Sequence, residues 1–347
     1  MLDAAAAAHV FHAAAAEVGT SEDPLWQDAV GTLTLEPSTA ASVDTVYDLA
    51  SLTKVLATTT VVMRLTAAGQ LQLDEPVATF FEEWRGADRV PVTIRDLLEH
   101  ASGLPARLID RPPSSRREFE HEICNIPLEY TPRTRSIYSD LGFILLAFSA
   151  EERGRAALPR QFANVIVDVV SGFGRADTLT FTLDPDFRRR AAPTRAMGDD
   201  ARRGRTLVGE VHDNYAAALG GAAGHSGLFG TAPAVGKFAR LVLRAARGDE
   251  RLPVPFTPTL IREFTTKSAV PGSSRALGWD TMLPTSSCGS RMSAAAFGHV
   301  GFTGTSLWID PERDRYFVLL TNRACGGGTL DEMRTVRRAF HDALGDV

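Results

Sequence analysis

The sequence lacks three features that would point to a membrane, a nucleic acid or an oxidising compartment. It has no run of 18 apolar residues, and its first residues have no basic start, so it predicts neither a membrane span nor a signal peptide. The net charge of -5 gives no electrostatic case for nucleic acid or an anionic membrane as partner. Three widely spaced cysteines, Cys124, Cys288 and Cys325, predict reduced thiols in a cytoplasm. A processed chain that has lost its export signal is the alternative.

Lysine is also scarce, because the basic residues are almost all arginine. Of the lysines, Lys54, Lys237 and Lys267, only Lys54 has a serine three residues before it. Ser51 and Lys54 begin a predicted helix that ends at Gly69, and residues three apart share one helix face. A serine hydroxyl needs a neighbouring base to become a nucleophile, and lysine can serve if burial or other cations hold it neutral. A surface Ser and Lys pair on a helix is the alternative interpretation.

The order of predicted elements indicates the fold class. Strand patterns lie near the N-terminus, including 25–35, and again between 277 and 322. A long segment with helical patterns separates them. Residues 330–344 are predicted to form a final amphipathic helix. We predict an α/β protein of the α+β type, with an antiparallel sheet built from both chain ends, flanked by helices, and an all-helical subdomain. One domain is expected over 1–347, with the sheet subdomain at about 10–50 and 270–347 and a mainly helical subdomain at about 51–269. The loop 105–135 is long enough to form a rim or lid.

Several short stretches together resemble the serine β-lactamase and penicillin-binding-protein-like hydrolases. The branch they resemble includes class C β-lactamases, family VIII esterases, D-aminopeptidases and DD-carboxypeptidases, and Ser-x-x-Lys is a signature of related enzymes. The matching stretches, in the family's order, are Asp48–Lys54, Leu73–Val77, Leu97–Pro105, Tyr138–Phe143, Gly224–Phe229 and His299–Gly304. The resemblance implies a β-lactamase/transpeptidase-like fold. It also implies a helix near 2–9 and a strand near 12–19, where alanine propensity alone predicts a helix.

The resemblance implies roles for the residues of these motifs. Ser51 would be the nucleophile that forms an acyl-enzyme, and Lys54 would hold or accept its proton, kept reactive by burial. Tyr138 would be the general base for acylation and then the acid for the leaving group, helped by the positive field of Lys54. The backbone N–H groups of Ser51 and Phe302 would form the oxyanion hole.

Other residues of the motifs would line the substrate site. His299 stands where many relatives carry the lysine of Lys-Thr-Gly, and it would bind a substrate carboxylate or assist the tyrosine. Gly301 would let the edge strand approach the substrate, and His225 would line or support the pocket. His212 and Asp213 are predicted to form a structural hydrogen-bonding pair. A metal site from these two residues with His225 has no spaced ligand motif behind it, so we predict no metal and no cofactor.

Two positions depart from the family's pattern. Asp140 replaces the usual asparagine of Tyr-x-Asn, whose amide donates to a substrate amide carbonyl; a carboxylate donates only when protonated. Arg133 stands where relatives often have glycine in a Pro-Gly-Thr turn. The first departure weakens the β-lactam and peptide interpretations, although Asp140 remains a predicted substrate-binding residue.

The sequence therefore predicts a cytoplasmic serine hydrolase that acts by an acyl-enzyme on a small ester or amide. Carboxylesterase and D-amino-acid peptidase are favoured over β-lactamase or penicillin-binding DD-carboxypeptidase. An acyltransferase would use the same residues, and a non-catalytic binding member of the fold is a further alternative. The predicted partner is a small-molecule ester, amide or peptide. The acyl group, the leaving group and the oligomeric state are left open.

Overall fold

A computed structural model describes residues 1–34, 38–109, 112–169 and 177–344. The chain forms strands β1 to β11, which are, in order, Ala13–Gly19, Pro24–Gly31, Tyr47–Asp48, Leu179–Thr180, Thr194–Arg195, Thr206–Leu207, Phe229–Gly230, Asp280–Thr281, Phe297–Val300, Ser306–Asp310 and Arg315–Thr321. Six of them form one antiparallel sheet in the order β2-β1-β11-β10-β9-β8. The sheet therefore combines strands from both ends of the chain, as the sequence predicted. The predicted strand 25–35 is shorter than expected, and position 35 lies outside the described residues.

Helices α1 to α11 surround this sheet. They are, in order, Leu2–Ala7, Thr60–Ala67, Ile94–Leu98, Arg116–Asn125, Asp140–Gly154, Leu158–Val169, Pro185–Arg189, Asn214–Ala218, Ala232–Ala246, Pro258–Thr265 and Leu330–Leu344. A π-helical segment, Lys54–Thr59, runs directly into α2, and 3-10 turns occupy Val77–Thr79 and Arg323–Cys325. Among the described helices, none combines the length and the hydropathy needed to cross a lipid bilayer.

Helices cover both faces of the sheet. Leu2 on α1 and Phe340 on α11 pack with Trp308 on one face. On the other face, α9 packs against β1, β10 and β11, and the large core continues into the helical middle. The segment that carries Lys54 is wholly buried in that core, against α5 and α6. The predicted nucleophile therefore lies at one end of a central helix.

The alanine-rich N-terminal stretch forms a helix and then a strand, as the family resemblance implied. β1 is paired on one side with β2 and on the other with β11, and all seven of its residues are buried. Small side chains suit β1, because α9 packs very close to this strand. A Cβ on Gly236 of α9 would lie 1.7 Å from Oε1 of Glu17 on β1. Tertiary packing thus overrides the helical propensity of alanine.

The middle of the chain is less purely helical than predicted. Besides α2 to α10, its described residues contain four two-residue strands, β4 to β7, which together with β3 form small sheets in the orders β3-β7-β4 and β5-β6. In the first of these sheets, Tyr47 pairs with Gly230 and Asp48 with Phe229, so the segment before Ser51 is anchored to the glycine-rich stretch. The division into two subdomains at about residues 51 and 269 stays a prediction.

Candidate active site

Ser51 follows a tight turn that the surrounding hydrogen bonds hold in place. Ala50 has a φ of +47°, a left-handed conformation that an L-residue adopts at a cost. The N–H of Ala50 donates to Oδ1 of Asp48 at 2.8 Å, and the N–H of His212 donates to Oδ2 of the same carboxylate at 2.6 Å. Burial raises the pKa of Asp48 to about 6. Strain immediately before the predicted nucleophile is typical of a functional turn.

Lys54 lies directly beneath Ser51 and is completely buried. Its Nζ donates to Oγ of Ser51 at 3.2 Å, to Oδ1 of Asp140 at 2.7 Å and to the His225 carbonyl at 3.2 Å. The proximity of Ser51 and Lys54 predicted from their spacing is therefore present in the structure.

The charge of Lys54 differs from the sequence-based expectation. Burial alone would lower the pKa of Lys54, but the negative charge of Asp140 and the contact with Tyr138 outweigh burial, and the pKa is raised. This direction is opposite to the expectation that burial keeps the lysine neutral, and it favours an ammonium group that donates to Ser51.

An alternating network of charges extends from this ammonium. Nη1 of Arg107 lies 2.9 Å from Oδ2 of Asp140 and 2.8 Å from Oδ2 of Asp213. Nε2 of His225 is 2.7 Å from Oδ1 of Asp213. Asp213 thus pairs with His225, and the predicted His212–Asp213 pair is absent. Burial would raise the pKa of Asp140, but Lys54 and the other nearby positive groups lower it, so Asp140 is ionised and cannot donate to a substrate carbonyl.

This network also bears on metal binding. Ligand atoms of Asp140, Asp213 and His225 lie within 4.8 Å of one another. Lys54 already binds Asp140, and Arg107 binds both Asp140 and Asp213, so the negative charge that would attract a cation is neutralised. We therefore assign no metal to this cluster.

Tyr138 lies at the centre of the site, between two cations and a histidine. Its ring centroid is 4.7 Å from Nζ of Lys54, 5.1 Å from the guanidinium carbon of Arg275 and 5.8 Å from the ring of His299. Ser51 and Tyr138 line one cavity of about 540 Å³. Except for Lys54, which lies below its floor, every residue predicted for the site lines it, including Asp140, His225, His299, Gly301 and Phe302.

His299 is a neutral hydrogen-bond acceptor in this cavity. Its Nδ1 donates to the Val300 carbonyl at 2.8 Å, so Nε2 carries the lone pair. Nε2 is buried and has no partner among the described residues. Burial, and then the charges of Arg275 and Lys54, hold the pKa of His299 well below its usual value. A neutral acceptor does not attract a carboxylate, so the lowered pKa argues against that half of the prediction. The role of assisting the tyrosine stays a prediction.

Gly301 is required by a contact other than the predicted one. A Cβ at this position would lie 2.1 Å from Oγ1 of Thr305 and 2.7 Å from the Leu49 carbonyl. The missing side chain therefore lets the β9–β10 turn pack against the strand that leads to Ser51. Oγ1 of Thr303 donates to the Asp48 carbonyl at 2.7 Å and strengthens the same contact.

The two backbone groups predicted for the oxyanion hole are free to act. In the described ranges, the N–H groups of Ser51 and Phe302 have no hydrogen-bond partner. The Phe302 side chain is 42% exposed at the mouth of the cavity and stacks on His212, with ring centroids 5.4 Å apart.

Three arginines of the cavity lining escaped the sequence analysis: Arg107, Arg275 and Arg337. Arg107 comes two residues after a recognised motif, which is the one local signal that could have found it. Arg275 and Arg337 belong to none of the motifs, and arginine is too abundant in this chain for its presence alone to indicate a site.

The other departure from the family's pattern, Arg133, is accommodated by an ion pair. Arg133 has a φ of +66°, the conformation that a glycine adopts without strain. Its Nε and Nη2 donate to the two carboxylate oxygens of Asp96, at 2.7 and 2.6 Å. Asp96 is the third residue of α3 and also caps that helix through Thr93. The turn before Tyr138 is thus fastened to α3.

Comparison with known proteins decides the family. The sequence matches the family model described as Beta-lactamase over residues 1–341. The chain belongs to the beta-lactamase family. A putative D-alanyl-D-alanine carboxypeptidase of Escherichia coli K12 is 29% identical over 326 residues, which is 84% of this chain and 72% of that protein. An N-acetylmuramyl-L-alanine amidase of Bacillus subtilis is 30% identical over 308 residues, 80% of this chain and 68% of that protein.

Solved structures agree with this beta-lactamase family fold. A class C beta lactamase from Rhodobacter sphaeroides superimposes with a TM-score of 0.75 at 16% identity, covering 99% of this chain and 98% of that one. EstCE1, a hydrolase with promiscuous acyltransferase activity, gives 0.73 at 17% identity, covering 96% of both chains. The family and its relatives identify this member as a serine hydrolase.

Proposed function

We propose that this family member hydrolyses a small ester or amide through an acyl-enzyme on Ser51. The observation that carries the proposal is the convergence of Ser51, Tyr138 and two unpartnered backbone N–H groups on one cavity, with Lys54 beneath it. Tyr138, in its phenolate form, takes the proton of the Ser51 hydroxyl as Oγ bonds to the substrate carbonyl carbon, and becomes neutral. It then gives this proton to the leaving group as the bond to that group breaks, and returns to the phenolate. Lys54 stays charged, because of Asp140, and its positive charge stabilises the phenolate form of Tyr138 that accepts the proton.

The preferred substrate carries a carboxylate, which Arg275 binds. Arg275 lines the cavity above Tyr138 and its side chain makes no hydrogen bond among the described residues; its closest carboxylate, Asp280, is 3.9 Å away. A guanidinium with free donors beside the reacting groups suits a carboxylate. Arg275 thereby takes the carboxylate-binding role predicted for His299. The names of the Escherichia coli and Bacillus subtilis relatives, a carboxypeptidase and an amidase, support an amide or peptide substrate, whereas Asp140 in place of asparagine favours an ester.

Acyl transfer is the second candidate. Nε2 of His299 is a buried acceptor with no partner in the described part of the chain, and it could accept a hydrogen bond from an alcohol or amine that replaces water. EstCE1, which shares the fold, is a hydrolase with promiscuous acyltransferase activity. Adding an alcohol to the reaction and analysing the products separates transfer from hydrolysis. A true β-lactamase is disfavoured, because ionised Asp140 replaces an amide donor.

The mass of the intact protein after treatment with a fluorophosphonate tests the proposal. We expect one adduct on the wild type and none on Ser51→Ala, together with loss of ester hydrolysis in that variant. A folded wild type that forms no adduct would favour a non-catalytic binding protein. A stable adduct with penicillin would move the assignment to a penicillin-binding peptidase. The cytoplasmic location is likewise a proposal, supported by three buried, unbridged cysteines.

A further inference from the structure

Two buried arginines hold the β9–β10 turn on either side of Phe302. Arg337, on α11, is 5% exposed, and its Nη2 donates to the Gly301 carbonyl at 2.7 Å and to the Thr305 carbonyl at 3.0 Å. Arg323 is 8% exposed, and its Nε donates to the Phe302 carbonyl at 3.0 Å. Both peptides that flank Phe302 are therefore bound through their oxygen atoms to a guanidinium.

Neither guanidinium has a carboxylate partner among the described residues, and both bind backbone carbonyls. Burial lowers the pKa of Arg337 to about 9 and repulsion by Arg323 adds to this effect, which still leaves Arg337 charged at neutral pH. Buried charges in proteins are normally paired. These two cations therefore form a positive region that the resting protein leaves uncompensated.

The Gly301–Phe302 peptide connects this positive region to the site of the reacting carbonyl. A peptide group is planar and trans, so its N–H points away from its own C=O. In the Gly301–Phe302 peptide the carbonyl is bound to Arg337, and the N–H of Phe302 has no partner in the described ranges. A charged donor on the carbonyl polarises the peptide and makes its N–H a stronger donor.

We propose that Arg337 is a positioning residue of the oxyanion hole, which orients and polarises the Gly301–Phe302 peptide. The inference rests on the proposed acyl-enzyme function. When Oγ of Ser51 bonds to the substrate carbonyl carbon, the π electrons of that carbonyl move to its oxygen. The N–H of Phe302 then binds an anion whose charge compensates Arg337. The electron pair returns as the bond to the leaving group breaks, and Arg337 itself exchanges no proton.

The test compares Arg337→Met and Arg337→Lys with Arg338→Met. Arg338 is a matched control, because it is the next residue of α11 and its Nη1 donates to the Ser286 carbonyl at 2.6 Å, away from the cavity. A p-nitrophenyl ester gives kcat and KM, and an arylboronic acid serves as an analogue of the tetrahedral intermediate. Infrared spectra of an acyl-enzyme labelled with 13C at its carbonyl report how strongly the hole polarises that group. Thermal unfolding checks that each variant folds.

Loss of one direct oxyanion donor reduces kcat by about 10² to 10³. Because Arg337 acts through a peptide, we expect about a 10-fold to 100-fold fall in kcat for Arg337→Met, with KM nearly unchanged. Boronate affinity should fall by a similar factor, and the acyl carbonyl frequency should rise. Arg337→Lys should retain part of the effect, and Arg338→Met should match the wild type.

A folded Arg337→Met that keeps its kcat, or loses kcat with unchanged boronate affinity and carbonyl frequency, overturns the inference. If Arg337→Met does not fold, Arg337→Lys decides: a carbonyl frequency and kcat equal to the wild type count against the proposal. Failure of the wild type to acylate at Ser51 is a different result, because it removes the proposed function itself.

Discussion

The two walls of the cavity differ in how their charged side chains are paired. The helical wall contains cations and anions in alternation: Lys54, Asp140, Arg107 and Asp213. The turn wall is supported by two cations that bind backbone carbonyls and, within the described ranges, no carboxylate: Arg323 and Arg337. Charges that compensate one another in the resting state fix geometry and change little during a reaction. Uncompensated charges favour the state in which an anion forms, and an interaction that is stronger in the transition state than in the ground state is what accelerates a reaction.

The largest expected effect comes from breaking the pairing on the helical wall with Asp140→Asn. Without this carboxylate, burial dominates and the pKa of Lys54 falls. We expect kcat/KM to fall by about 10²-fold, a typical general acid–base contribution, and the alkaline limb of its pH profile to move to lower pH. The profile from pH 5 to 10 is the measurement.

Asp213→Asn is the matched control for that variant. It loses the ion pairs with Arg107 and His225 but leaves the Lys54–Asp140 contact in place, and asparagine can still cap α8. Its alkaline limb should stay where the wild type has it. Equal shifts in both variants would show that the network as a whole, and not Asp140, sets the charge of Lys54.

A smaller effect is expected for Arg275→Met, which tests a cation that belongs to neither wall. The substrates are two matched esters, one with a carboxylate and one without. The variant should lose about 10-fold to 100-fold in kcat/KM on the ester that carries the carboxylate and nothing on the other, because only the first loses a charge-assisted hydrogen bond. Kinetics with both esters is the measurement. Equal losses on the two esters would mean that Arg275 acts on Tyr138 and not on the substrate.

The smallest effect concerns stability in acid. The buried histidines His212 and His341 have pKa values of about 4 and about 3, and burial is the main cause for each. Below pH 6.5 these histidines take up protons in the unfolded chain but not in the folded chain. Each therefore lowers the free energy of unfolding as the pH falls, by up to about 1.4 kcal/mol per pH unit. Asp48, whose pKa burial raises to about 6, takes up its proton first in the folded chain and offsets part of this loss below pH 6. The carboxylates Asp140 and Asp213, whose pKa values are lowered, lose their stabilising effect only below about pH 4.

Urea unfolding at pH values from 7 to 4.5 measures this dependence. His341→Gln removes one of the histidines while keeping a polar partner for Ser306, so its stability should vary less steeply with pH than that of the wild type. A wild-type stability that is constant between pH 6.5 and 5 would contradict the prediction.

The parts of the site that the sequence predicted are those with local spacing or a recognisable motif. Ser51 and Lys54 meet because a helix brings residues three apart together, and Tyr138 and His299 were found through family motifs. The charge of Lys54 depends on Asp140, which is 86 residues away in sequence. From the sequence, the aspartate in place of asparagine predicted only a change in substrate binding. Arg275 and Arg337 were missed because a long-range contact leaves no periodic signal in the sequence.

The fold shows the same limit. Element order was enough to predict a sheet built from both chain ends. The strand Ala13–Gly19 followed from the family resemblance and not from propensity, because its environment between two strands and α9 depends on residues far away in sequence. Short strands such as Thr194–Arg195 and Thr206–Leu207 were not predicted, since two residues carry no alternation pattern.

The pairing of β1 with β11 has a consequence for how the protein is made. The Ala13 N–H donates to the side chain of Asn322, 309 residues later, and the β9–β10 turn reaches the Ser51 segment only once these late strands join the sheet. Contacts of such separation form slowly and cannot form on a growing chain until β9 to β11 have left the ribosome. A nascent chain therefore holds Ser51 and Lys54 without the turn that carries Phe302, until that turn has been synthesised and has packed against the Ser51 segment.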